Sequence, residues 1–251
     1  MIYFFFRFGI KYKSNLPAKP QHLYITYHYN DNMIEAINPY SMKIIIACRQ
    51  QDSIRAIAQR IQVSYGWTYQ WMQELARKGV VRLTRMKVYL NEQNRFYQKT
   101  IHYIRQTLGS YVSFYYEVLS LLGIRYCFIQ TDAVYIWTKG GYNIARYREY
   151  YPIFIKVQRE DKKLFEWYCK KIGLAINRAK GIFYKVQYVD SLRPEYYQGM
   201  PVESLDETIR FMNQYPYNFL PALEMIKGLH QQIKPTTEPI TVEYQEAVTN
   251  V

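Results

Sequence analysis

The chain has 251 residues, enough for one large domain or two modest ones, each with its own core. Apolar residues make up 49% of it, which excludes a disordered polymer, and no apolar run reaches the ~20 residues that span a bilayer. The formal charge is +13, unevenly placed: 13 Lys and Arg face 4 Asp and Glu through Asn91, then 20 face 16.

A basic excess gathered in the first third is the mark of a phosphate-binding module, whereas charge kept for solubility needs no such bias. The opening, MIYFFFRFGIKYK, is an aromatic cluster broken by Arg7, with no small-residue cleavage site. With the proline-containing stretch after it, 1–37 reads as a flexible extension, and Met33 is an alternative start. A weak membrane-surface anchor is the other reading.

From Asn38 the pattern becomes helical. Asn38 caps NPYSMKIIIACRQQ, with Pro39 at the first position, where its missing N–H costs nothing. Asp52 is expected to cap SIRAIAQRIQ, whose Ile54, Ile57, Ala58 and Ile61 form one apolar face. Ser64 caps a third helix, YGWTYQWMQELARK, which Gly79 ends after Arg77 and Lys78. VVRLTRMKVYLN then alternates as two short strands about a basic turn.

The order helix, helix, tight turn, helix, hairpin, carried by SIRAIAQRIQVSYGWTYQWMQELARKGVVRLT, resembles the winged helix-turn-helix of prokaryotic transcriptional regulators. The resemblance covers 38–98 and implies a double-stranded DNA partner, a cap serine opening the reading helix, and a glycine before the wing. On that helix Val63, Thr68, Met72 and Leu75 fall at core spacing. Tyr65, Gly66, Tyr69, Gln70 and Gln73 are left pointing outward. Gln70 and Gln73 suit adenine edges, and Tyr65 and Tyr69 suit phosphates or thymine methyls. Ser64 and the helix start offer backbone donors to a phosphate. Arg77, Arg82, Arg85 and Lys87 add charge, with Arg85 near the wing tip. Trp67 and Trp71 are expected to pack into the core or a domain boundary.

The stretch 93–122 reads as helices that either link two halves or meet a second copy in a homodimer, with Phe96, Ile101, Ile104 and Leu108 as the stripe. The stretch 123–232 reads as a mixed α/β domain: RYCFIQ and YPIFIKV as strands, EDKKLFEWYCKKIG as an amphipathic helix, GIFYKVQYV as a strand, and two helices at its end. A loose tail covers 233–251. The expected class is thus α+β, a winged helix-turn-helix at 38–92 joined by a helical linker to an α/β domain.

YCFIQTDAVYIW, YPIFIKV and MPVESLDETIRFM resemble the C-terminal domain of abortive-infection (type IV) antitoxins of the AbiEi kind, distant relatives of nucleotidyltransferases. That resemblance implies a toxin partner as an alternative role. Nucleotide transfer needs paired carboxylates after a glycine pair. Gly140 and Gly141 are present, but the next strand carries no acid, leaving Asp132 the acid to test. Cys48, Cys127 and Cys169, and the four histidines, show no ligand spacing. The sequence therefore argues for no catalytic residues, no metal and no cofactor, and for a regulator in a reducing, cytoplasmic setting.

Overall fold

The computed structural model describes residues 38–230 apart from Ala145 and Arg148, so the expected extension and tail lie outside the described residues. Within them the protein is mixed α+β, with two sheets.

Helix α1 (Pro39–Ala47) begins where its sequence directs, with the Asn38 side chain accepting from the Tyr40 N–H. Its IIIA run is buried throughout. Strand β1 (Gln51–Asp52), helix α2 (Ile54–Ile61) and helix α3 (Tyr65–Arg77) follow. The α2 cap is Ser53 rather than Asp52: Ser53 Oγ accepts from the Ala56 N–H at 3.2 Å. Asp52 is committed elsewhere, to the Arg60 guanidinium and the N–H groups of Arg49 and Ser53. Arg60 offers that carboxylate a full opposite charge as well as donors, which a backbone N–H at the cap does not. Thr68, Met72 and Leu75 of α3 are buried, and the two large apolar ones join Ile57 and Ile61 of α2 and Ile44 and Ile45 of α1 in the core. Strands β2 (Val81–Leu83) and β3 (Val88–Leu90) form an antiparallel hairpin, and β1 pairs along the other edge of β3.

Beyond the hairpin come α4 (Arg95–Gln106), a tight turn through Gly109, and α5 (Val112–Val118). Next are β4 (Tyr126–Phe128), α6 (Gln130–Trp137), β5 (Tyr150–Gln158), α7 (Lys162–Ile172) and β6 (Gly181–Val189). A hairpin of β7 (Glu195–Tyr197) and β8 (Met200–Val202), then α8 (Leu205–Asn213) and α9 (Pro216–Leu229), complete the described chain. The five strands run β6-β5-β4-β8-β7, with β5–β6 and β4–β8 parallel and the other two pairs antiparallel. The β7–β8 hairpin is not announced by alternation. Its turn residues Gln198 and Gly199 have φ of +50° and +81°, the pair of left-handed residues that a two-residue hairpin needs.

Buried side chains from α1–α3 and from α4–α9 form one continuous cluster. One polar tie across it is Lys171. Its ammonium donates to the carbonyls of Ile45, Ile46 and Cys48 at 2.6, 3.1 and 2.6 Å. These are carbonyls at the C-terminal end of α1, which lack partners within their own helix and carry the negative end of its dipole. Tyr168 Oη donates to Ala47 O at 2.7 Å beside them. Arg105 of α4 plays the same part for α7, donating to Lys170 O and Lys171 O. Gly173 closes α7 at φ +77°, and a Cβ there would stand 2.8 Å from Arg105 Cγ, so space and backbone both require glycine.

Removing the Lys171 donor strands three carbonyls in the interior. Lys171→Met should therefore cost about 3 kcal/mol of folding free energy, read as a lower urea midpoint with the slope unchanged. A wild-type midpoint would show the tie to be dispensable. Burial also pushes the thiols of Cys48 and Cys127 up to about 12, raises Cys169, and lowers Lys171 to about 8. A raised folded pKa gives stability that is complete below the unfolded value and lost as pH climbs toward the folded one, and a lowered pKa acts in the opposite sense. Three thiols outweigh one ammonium, so the urea midpoint should fall between about pH 8.5 and pH 11. A midpoint that rises over that window would mean Lys171 dominates instead.

Candidate nucleic-acid interface

Ser64 sets the start of α3. Its Oγ accepts from the Trp67 N–H at 3.3 Å, and its carbonyl accepts from both the N–H and the hydroxyl of Thr68 at 2.9 Å. Thr68 is thus buried without a stranded polar group. With that face turned inward, Tyr65, Gly66, Tyr69, Gln70 and Gln73 are all exposed. Tyr65 and Tyr69, one turn apart, stack with ring centres 6.2 Å apart and planes 13° from parallel. At Gly66 nothing lies within 4 Å of where a Cβ would stand, so the first turn is open to an approaching surface. Among the described residues, the side-chain amides of Gln70 and Gln73 have no hydrogen-bond partner. Both amides keep their full donor and acceptor capacity.

The hairpin beside α3 is pinned at its turn. Thr84 N–H donates to Lys87 O at 2.9 Å, and Lys87 N–H donates to Thr84 Oγ1 at 3.1 Å. Arg82, Arg85 and Lys87 are exposed. The Arg82 guanidinium lies 4.8 Å over the Tyr89 ring, which preorients it. Arg77, at the end of α3, is exposed and paired with Glu74, so part of its charge is already committed. Sequence reasoning passed over Met86, which sits at the hairpin tip 78% exposed between two cations. Its signal was available: an apolar residue inside a turn of otherwise polar ones.

Trp71 packs against the core as expected, whereas Trp67 does not. Trp67 is 43% exposed and Trp71 half-buried. They meet edge to face at 6.3 Å, and Tyr40 of α1 stacks on Trp71 and abuts Trp67. Spacing by four correctly places the indoles on one face. It does not reveal that the neighbour there is a tyrosine at the outer end of α1, which shields one side of the rings only.

Asp132, the acid to test for metal-dependent transfer, is fully buried. Its Oδ1 accepts from the Tyr116 hydroxyl and from Arg146 at 2.7 Å, and its Oδ2 accepts from the Phe154 N–H at 2.7 Å. Burial pushes its carboxyl up and Arg146 opposes the rise. Both oxygens are occupied, and among the described residues no group of three His, Cys, Asp or Glu is placed to hold a metal ion. No family model, curated protein or solved structure matches the chain.

The cap on α3 is testable by itself. Ser64→Ala should lose about 1 kcal/mol of stability, and Ser64→Asp should restore most of it, as read by thermal unfolding. Equal melting of all three proteins would remove Ser64 from the cap.

Proposed function

We propose that this chain is a sequence-specific DNA-binding regulator of transcription, with α1–α3 and the three-stranded sheet acting as a winged helix-turn-helix. One observation carries the reading. α3 presents free amides and tyrosines on its N-terminal turns, beside a pinned hairpin with three exposed cations. The major groove, ~12 Å wide, admits a helix whose first turns meet base edges. Gln70 and Gln73 then pair with adenine, while Tyr65 and Tyr69 reach phosphates or thymine methyls. Ser64 and the backbone of the first turn hold a phosphate. Arg82, Arg85 and Lys87 hold the flanking backbone, and the second half fixes the orientation of α3 through α1.

Fluorescence anisotropy on the duplex upstream of its own coding sequence, and on a scrambled duplex, tests this. Gln70→Ala should cost about 1–3 kcal/mol on the preferred duplex and little on the scrambled one. Lys87→Gln should weaken both alike and make the slope of log affinity against log salt shallower by about 0.9. A wild-type protein that binds neither duplex would end the proposal.

A further inference from the structure

Helix α4 carries a cationic face that the winged-helix reading leaves unused. Between Glu74 and Glu117 the one acid is Glu92, against eight Lys and Arg. Five of the eight lie on the end of α3 and the hairpin, and Arg95, Lys99 and Arg105 lie on α4. α4 buries Tyr97, Thr100, Ile101 and Ile104 and turns Arg95, Gln98, Lys99, His102 and Gln106 outward. Those five recur at helical spacing, so they form one stripe. The stripe lines a shallow groove of about 560 Å³. Among the described residues no carboxylate pairs with Arg95 or Lys99, whereas the Arg105 guanidinium is spent on the end of α7.

The stripe is joined to α3. Asn94, the cap of α4, donates from Nδ2 to Lys78 O at 2.8 Å and accepts from the Tyr97 N–H at 3.0 Å. Lys78 Nζ lies 5.0 Å over the Phe96 ring. The start of α4 therefore abuts the end of α3, and positive charge continues from Lys78 to Arg95 and Lys99.

We infer that α4 is a second phosphate-contacting element, so that duplex running past the C-terminal end of α3 meets Arg95 and Lys99. The inference rests on the DNA-binding reading and lengthens its footprint on one side. A polyanion fits this face because cations unaccompanied by acids repel a basic partner, including a second copy of a +13 chain. The amides and imidazole between them are donors for phosphate oxygens, and Tyr103 is the one large apolar side chain exposed along α4 among the described residues.

The test uses the full chain and the double variant Arg95→Gln/Lys99→Gln, whose exposed positions should leave the thermal midpoint unchanged. Affinity is measured against salt on the preferred duplex, on a scrambled one, and on the preferred duplex extended by about ten base pairs on each side. The variant should show a salt slope shallower by about 1.8, two phosphates at 0.9 each. It should weaken equally on both sequences and lose any gain from the added flank. An unchanged slope and flank gain, with Gln70→Ala still discriminating, would overturn the α4 contact and leave the DNA-binding reading standing. Weakening confined to the preferred sequence would also overturn it, by placing these side chains at bases. No binding by the wild type would overturn both.

Discussion

Lys171 brings an ammonium into an interior that would reject it unless something there lacked a donor. Removing such a charge from water costs several kcal/mol. The C-terminal end of α1 has the complementary deficit, carbonyls with no helical partner and a negative dipole end. Three of them receive the Lys171 protons, and the Trp167 ring lies 5.1 Å from the nitrogen. Each deficit offsets the other only if α7 and α1 hold one separation. Because α1 packs against α3, that separation also sets where α3 sits.

Buried charge recurs as a tie elsewhere in the chain. Asp132 joins α6 to α5 through Tyr116, to β5 through Phe154 and to the following loop through Arg146. Asp52 joins the start of α2 to its own last turn through Arg60. A buried carboxylate often marks a chemical site. Here both oxygens of Asp132 already accept from neighbours, three donors in all, which ties the carboxylate to the fold. The polar interior holds helices in place, and the free side-chain amides and cations of α3, the hairpin and α4 lie on the surface.

That surface is divided. In the second half, Arg125 is clasped by Glu160 and Asp161, and Arg159 by Asp190. Exposed pairs of this kind contribute little to stability, but they cancel local charge. On the hairpin and α4, among the described residues, Arg82, Arg85, Lys87, Arg95 and Lys99 stand without a carboxylate partner, beside the free side-chain amides of α3. Charge and hydrogen-bonding capacity thus coincide on neighbouring elements, as binding to a phosphate polymer with readable edges requires.

Local rules made much of this legible. Asn38 with Pro39, Ser64, and Gly79 mark helix ends because caps and left-handed residues are decided within four residues of chain. The burial of Thr68, Met72 and Leu75, and hence the outward set from Tyr65 to Gln73, follows from helical period alone. The sequence was silent where the deciding neighbour is distant. Asp52 is drawn from its helix by Arg60, β1 exists only because β3 offers an edge, and Trp67 stays exposed because Tyr40 covers only one side of it and nothing described covers the other. Nothing in KKLFEWYCKKI marks Lys171 as the buried one of four lysines. Its proton acceptors lie more than 120 residues earlier, and only folding brings them together. The sequence alone determined most helix ends, the basic hairpin and the outward chemistry of α3. Tertiary structure decided which charges are buried as ties and which remain free to meet a partner, because burial is set by neighbours that the local chain does not contain.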